Sequence, residues 1–347
     1  MIFHSMLHKL PENAVAAETL DAPDFFADLN LDQVVDTITA GRQEYNLKPF
    51  FYAPLHDTDA VRYRYEIMAD LENEALFQHI KSFAQKMRSM REHLAQSEKL
   101  YYKLQKQSWF LDAVEIYCEA VRSLANDLAH ADLKSRGFLG LREYITQYAA
   151  SEAFTSLLAE IQSLKADLAS VKYCLLIKDN TIKVRKYEGE SDYSAEVENT
   201  FAKFKQGAAK DYKVKFSGWL EMNHIEAAIL DYVAQLYPDI FSRLDGFCTV
   251  HSAYLDETIG LFDREIQFYL AYLEYMAIFK QAGLKFCHPQ ISDTDKEIYA
   301  FEEFDLALAY KLIAEKSPIV VNDFYLKGKE RIFVVSGPNQ GGKTTFA

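Results

Sequence analysis

Long runs of apolar residues at spacings of three and four constrain the fold of this 347-residue chain more than any other feature. Such spacing places the side chains on one stripe of an α-helix, which is stable only when that stripe is buried. A mean spacing near 3.5 residues is typical of helices that pack nearly parallel, as in bundles and coiled coils. The stripes lie in residues 76–94, 109–131, 154–171, 222–236 and 255–276. We therefore predict a mainly α protein in which these stripes form the core.

The helical pattern is interrupted between the third and fourth stripes. Residues 173–177 and 181–185 are rich in β-branched and apolar side chains and flank a short polar turn, which indicates a β-hairpin. Residues 212–216 alternate apolar and basic side chains, as a third strand does. We predict a small antiparallel sheet inserted between two long helices.

This inserted segment is basic within an acidic chain. The whole chain carries a net charge of −13, from 38 basic and 51 acidic residues, which argues against its whole surface binding nucleic acid. Residues 172–215 hold ten basic and seven acidic side chains, a charge of +3, which leaves 28 basic and 44 acidic side chains, or −16, elsewhere.

Two interpretations of the basic segment stay open. It binds the DNA backbone without regard to sequence, in which case salt weakens the binding. Alternatively its lysines only protect a solvated strand edge from aggregation. The candidate DNA contacts are Lys183, Arg185, Lys186, Lys213 and Lys215.

A glycine-rich pattern near the end of the chain has a defined chemistry. Residues 337–344 fit Gly-x-x-x-x-Gly-Lys-Thr, a phosphate-binding P-loop, and residues 332–335 before them are predicted to form a buried strand. Backbone N–H groups of such a loop hold phosphate oxygens. Lys343 would reach the β- and γ-phosphates of ATP, and the Thr344 hydroxyl would bind Mg²⁺. The predicted ATP-binding residues here are Gly337, Pro338, Asn339, Gln340, Gly341, Gly342, Lys343, Thr344 and Thr345.

The string Gly-Pro-Asn-x-Gly-Gly-Lys-Thr-Thr resembles the P-loop of the MutS family of DNA mismatch-repair ATPases, which has Ser before the last Thr. Pro54-Leu55-His56-Asp57, followed by Val61 and Arg64, is similar to the start of the family's helical lever. Phe286-Cys287-His288-Pro289 is similar to the segment that leads from lever to ATPase domain. The resemblance covers the chain from about residue 25 to its end.

The resemblance implies a function and a domain order. ATP binding would pair two ATPase domains, as a homodimer, and move levers and clamp around double-stranded DNA. Asn322 stands where the family has an asparagine near the adenine, and Ile319 stands in place of its stacking aromatic. The implied segments are a helical core and lever at 1–171, a clamp-like β insertion at 172–217, returning lever helices at 218–283 and the start of a P-loop α/β ATPase domain at 284–347.

The departures from the family also carry information. No Phe-x-Glu mismatch wedge is evident near the beginning, and Glu302-Glu303-Phe304-Asp305 occupies the place of the family's Gly-Arg-His-Pro segment. We therefore expect a divergent relative without mismatch recognition. Because the P-loop comes last, no Walker B acidic pair follows it, and we expect this chain not to hydrolyse ATP by itself. The few residues after Lys343 are too short to hold a helix alone.

Two other functions are also compatible with the sequence, and its composition predicts a location. One alternative is another long-helix P-loop ATPase, although those usually carry the P-loop before their long helices. A second is a non-catalytic helical interaction module with a silent P-loop. Four widely spaced cysteines predict buried thiols in a reducing cytoplasm, and the lack of an 18-residue apolar run predicts no membrane span.

Overall fold

The computed structural model describes most of the chain. The described residues are 3–8, 21–191, 193, 196–197, 200, 222–338 and 341–346, without the side chains of Thr344 and Thr345. The third strand predicted at 212–216, with Lys213 and Lys215, lies outside them, as do Asn339 and Gln340.

The described chain is mainly helical, as the stripes predict, with two small antiparallel sheets, of which the hairpin pattern predicts the first. Among the described residues, none of the helices is both long enough and apolar enough to cross a membrane. The helices are α1 (Phe25–Asp28), α2 (Leu31–Thr39), α3 (Lys48–Tyr52), α4 (Thr58–Leu71), α5 (Glu74–Lys99), α6 (Lys103–His130), α7 (Arg136–Ala149), α8 (Glu152–Ser170), α9 (His224–Leu236), α10 (Pro238–Val250), α11 (Glu257–Gln281), α12 (Leu306–Ala314) and α13 (Lys343–Phe346). The strands are β1 (Tyr173–Lys178), β2 (Thr181–Lys186), β3 (Ile298–Glu303) and β4 (Asn322–Leu326).

The chain divides into two compact units. Unit 1 comprises Met1–Gln85, Val121–Tyr148 and Leu255–Ala347, and unit 2 comprises Lys86–Ala120 and Ala149–Tyr254. This division does not follow the four segments implied by the family resemblance. Residues 284–347 group with unit 1, and the β1–β2 hairpin groups with unit 2.

The long helices bury most residues of the predicted stripes, although Leu255 is 42% exposed. In α11 the buried set includes Ile259, Phe262, Ile266 and Tyr269, each at 0% exposure. Full burial of one such side chain stabilises the fold by about 1.5–3 kcal/mol. Asp256 begins this helix by accepting a hydrogen bond from the Ile259 N–H at 2.9 Å, which satisfies one of the unpaired N–H groups of the first turn.

The stripe predicted for α9 is wrong in its direction. Ile225 and Tyr232 are 47% and 56% exposed, whereas the buried residues of α9 are Ala227 and Val233. This helix is apolar on more than one side, so the 3-4 spacing alone does not determine which side packs against a neighbour.

The hairpin prediction is confirmed. β1 and β2 pair antiparallel, from Tyr173 opposite Lys186 to Lys178 opposite Thr181. Asp179 takes the left-handed conformation of the turn, with φ of 52°, which Asp tolerates better than most residues.

The strands predicted around the P-loop are only partly confirmed. The β-branched and aromatic runs at 297–301 and 318–321 are further predicted strands of this region. β3 confirms the first, but β4 begins only at Asn322, so the second prediction is wrong. Residues 332–335 lie in no strand, and Ile332 and Val334 are each 81% exposed. A buried strand needs hydrogen-bonded neighbours and covered faces. Among the described residues of this region, the only strand pair is β3 with β4.

Candidate nucleotide site and candidate DNA-contact hairpin

The glycine-rich loop closes around the side chain of Lys343. Lys343 Nζ donates hydrogen bonds to the backbone oxygens of Gly337 and Pro338, at 2.8 and 2.6 Å. A Cβ added to Gly337 would lie 3.9 Å from the lysine stem, so the stem packs along this residue. Main-chain oxygens at the beginning of the loop therefore hold the ammonium group.

Glycine is favoured at two positions of the loop. Gly342 has a φ of 75°, in the region that side chains with a Cβ avoid. A Cβ at Gly341 would lie 3.1 Å from the backbone oxygen of Pro338, the same oxygen that accepts a 3.2 Å hydrogen bond from the Gly341 N–H. A side chain at Gly341 would therefore crowd this oxygen, which would have to move by a few tenths of an ångström.

An aromatic cluster connects the loop to the β3–β4 sheet. The Phe346 ring in α13 lies 6.0 Å from that of Phe324 in β4 and 5.7 Å from that of Phe333. Phe324 and Phe333 are also 6.0 Å apart. Packing of Phe346 against these rings therefore stabilises α13, whereas the sequence analysis judged this helix by its short length alone.

A cavity of about 760 Å³ lies beside the loop. Gly341, Gly342 and Lys343 line it together with Ile319 and Asn322, so the structure brings these predicted site residues together. Parts of α1, α2 and α12 complete its wall. Its volume falls within the roughly 300–1,000 Å³ range of small-molecule sites.

The wall of this cavity is more acidic than basic. Asp28, Glu303 and Asp305 line it, and Lys343 is the one basic residue among the described residues of the wall. Asp305 already accepts a hydrogen bond from the Leu308 N–H at 2.8 Å, which caps α12. No group of three His, Cys, Asp or Glu side chains in the described part of the chain is placed to hold a metal ion. The sequence analysis noted Glu303 and Asp305 only as a departure from the family and did not predict that they or Asp28 line the site.

The hairpin places its basic residues on two faces. Directly opposed residues share a face, and side chains alternate along each strand. Lys183 and Arg185 therefore share one face with Lys178, while Lys186 lies on the other. Lys178 was not among the predicted contacts, although the alternation from Lys183 across the turn could have identified it.

Two of the predicted contacts already have partners. Arg185 forms an ion pair with Glu190, whose pKa is held at about 2, chiefly by the backbone N–H of Glu188. The Lys186 ammonium lies 4.9 Å from the centre of the Tyr237 ring, a cation–π contact. Lys183 and Lys178 have no ion-pair partner within the described residues.

Comparison of the chain with family models, curated proteins and solved structures finds no match in any of the three. A functional assignment therefore rests on the residues and their geometry.

Proposed function

We propose that this chain is part of a MutS-like, DNA-binding ATPase and that the cavity beside Lys343 binds the nucleotide. The observation that carries the proposal is the convergence on one cavity of Lys343, the glycines Gly341 and Gly342, and the adenine-side positions Ile319 and Asn322. These residues come from two separate stretches of sequence, 319–322 and 341–343. The motif at 337–344 specifies only the second stretch.

The geometry of the loop supports phosphate binding. When the nucleotide binds, the Lys343 ammonium gives up its hydrogen bonds to the backbone oxygens of Gly337 and Pro338 and donates to phosphate oxygens instead. Loop N–H groups then donate to the same phosphates, as in other glycine-rich anion sites. Ile319 packs against the base, and the Asn322 amide offers both a donor and an acceptor to its edge.

The charge of the cavity makes Mg²⁺ part of the proposal. Three carboxylates against one lysine repel a bare triphosphate. A bound Mg²⁺ would neutralise part of the phosphate charge, with the hydroxyl of Thr344 as its predicted protein ligand. In the intact protein, nucleotide binding would pair two copies and move the hairpin on double-stranded DNA.

Titration with Mg-ATP, followed by ligand-observed NMR, tests the proposal. We expect weak binding that the Lys343→Ala substitution abolishes and that removal of Mg²⁺ reduces at least tenfold. Lys311→Ala is the matched control, because Lys311 is an exposed α12 residue that does not line the cavity. Equal binding by the two variants, or no binding by the unmodified chain, would contradict the proposal; the second result would favour a helical interaction module.

A further inference from the structure

One wall of the nucleotide cavity comes from the turn between α1 and α2, which lies far from the glycine-rich loop in sequence. We call residues 28–34 the α1–α2 corner, and the members of it that line the cavity are Asp28, Leu29, Asn30, Leu31 and Val34. Asn30 has a φ of 54°, in the left-handed region that asparagine adopts more readily than most residues. Its side-chain oxygen accepts a hydrogen bond from Gln33 Nε2 at 3.1 Å. Contacts within the corner therefore stabilise the turn of the chain.

Buried residues hold the corner in place on both sides. In α1, Phe26 is 7% exposed, and its ring meets that of Tyr52 edge-on at 5.3 Å. In α2, Val34, Val35 and Ile38 are buried, and this helix packs against α11 and α12. The wall is therefore formed by the folded chain and does not need a ligand to position it.

The Leu29 side chain takes no part in this burial. It is 56% exposed although it lines the cavity, and Leu308 of α12 also lines the cavity at 39% exposure. Single exposed leucines are common on protein surfaces, but these two lie in a concave site of small-molecule size. A ligand that covers their apolar surface removes it from water, which favours binding.

The elements around the cavity differ in chemistry. The loop contributes the Lys343 ammonium group and the backbone of Gly341 and Gly342, which suit phosphate. The α1–α2 corner and α12 contribute mainly aliphatic side chains. Such a cavity suits a ligand that combines an anionic group with an apolar ring system. A bare polyphosphate would leave the aliphatic part of the wall in contact with water.

Ile319 covers only part of such a ring system. It is one aliphatic side chain, which buries less area than the aromatic ring that the family resemblance implies at this position. Leu29 lines the same cavity from a different segment of the chain. A base that contacts both side chains gains apolar contact that Ile319 alone does not supply.

We propose that the α1–α2 corner is the base-recognition wall of the cavity, and that Leu29 makes the cavity prefer a nucleotide to a bare polyphosphate. This role rests on the proposed function, because it concerns the ligand of the same cavity. It assigns recognition of the base to a segment that carries no motif. Leu29 contacts the base, whereas Lys343 and the loop hold the phosphates.

Binding of two ligands to the Leu29→Ala variant tests the proposal. Mg-ATP carries the phosphates and the base, whereas Mg-tripolyphosphate carries the phosphates alone. In ligand-observed NMR, we expect the unmodified chain to bind Mg-ATP about tenfold or more tighter than Mg-tripolyphosphate. Leu29→Ala should weaken Mg-ATP binding by about fivefold or more and leave the affinity for Mg-tripolyphosphate unchanged. Leu29→Met, which keeps most of the apolar surface, should retain the affinity for Mg-ATP.

A matched variant of α1 is the control. Phe25 is 52% exposed and does not line the cavity, so Phe25→Ala should change neither affinity, and circular dichroism should show the same helix content in every variant. Equal weakening of both ligands by Leu29→Ala, or unchanged affinity of that variant for Mg-ATP, would overturn this proposal and leave the nucleotide site in place. Equal affinity of the unmodified chain for the two ligands would do the same. Failure of the unmodified chain to bind either ligand would overturn the proposed function, and the role of Leu29 with it.

Discussion

At the residue scale, two buried titratable groups lie where the segment 3–8 packs against α4 and α11, namely His8 of the segment and Glu265 of α11. Burial raises the pKa of Glu265 from 4.5 to about 7, against the opposing hydrogen bonds from Ser5 and the Met6 N–H. Burial, and secondly the charge of Arg64, lowers the pKa of His8 from 6.5 to about 4. Tyr63 and Tyr269 face the same region through their hydroxyl groups. Both titratable side chains are therefore neutral in the folded protein between about pH 4 and 7.

The two shifts predict opposite effects of pH on stability. Glu265 binds its proton more tightly in the folded state, so its contribution falls as pH rises from 4.5 through about 7. His8 binds its proton less tightly when folded, so its contribution falls as pH drops from 6.5 through about 4. In the unmodified protein these terms nearly cancel.

Single substitutions should separate the two terms. Glu265→Gln keeps only the His8 term, so the unfolding free energy of this variant should rise with pH between about 4 and 6.5, by up to about 3 kcal/mol. His8→Gln should show the reverse trend between about pH 4.5 and 7. Urea unfolding at a series of pH values measures both, and parallel curves for all three proteins would show that the groups titrate normally.

A glycine in α7 offers a second test at this scale. A Cβ at Gly137 would lie 2.7 Å from Cδ1 of the fully buried Ile67 and 3.1 Å from the Tyr63 hydroxyl. Gly137→Ala should therefore destabilise the fold by about 1–3 kcal/mol in urea unfolding. Gly140→Ala in the same helix is the control, since its Cβ would meet Phe3 at an ordinary 3.6 Å. Equal losses for the two variants would mean that crowding at Ile67 has no cost.

At the element scale, the register of the β1–β2 hairpin decides which lysines are tested as DNA contacts, because Lys178 and Lys183 share one face and Lys186 lies on the other. Replacing Lys178 and Lys183 together by Ala should weaken binding of duplex DNA equally for all sequences. It should also reduce the slope of log affinity against log salt by about 0.9 per lost phosphate contact. Lys186→Ala is the control, because Lys186 lies on the opposite face, over the Tyr237 ring.

Fluorescence anisotropy at several salt concentrations measures affinity and slope together. An unchanged slope for the double variant would favour the solvated strand edge over the DNA contact. A loss caused mainly by Lys186→Ala would place any DNA contact on the other face of the hairpin.

The sequence predicts elements well where their signals are local. The helices α5 and α11 follow from stripes within their own residues, and the β1–β2 hairpin follows from two alternating runs and a polar turn. The exposed side of α9 and the residues 332–335 were mispredicted, because burial of an apolar run depends on which other elements lie against it. That information is spread over the whole chain.

At the scale of the whole molecule, the same limit applies to the candidate site. The motif identified Lys343 and its glycines, and the family resemblance added Ile319 and Asn322. The acidic wall and the support of α13 by Phe324 and Phe333 come from distant segments that no motif marks. The structure therefore supports the nucleotide proposal by bringing these residues of unit 1 together around one cavity.

The two parts of the proposed function belong to different units of the chain. The nucleotide cavity lies in unit 1, and the hairpin lies in unit 2. The helices α5 and α6 contribute residues to both units.

Methyl NMR of the isoleucine side chains during titration with Mg-ATP tests the central claim most directly, because it reports where the nucleotide binds. Ile319 lines the cavity, whereas Ile67 is a fully buried core residue that does not. We predict that the Ile319 methyl signals shift with Mg-ATP, that those of Ile67 do not, and that Lys343→Ala abolishes the shift. Unchanged Ile319 signals at saturating nucleotide, or an equal shift in the Lys343→Ala variant, would contradict the assignment of this cavity as the nucleotide site.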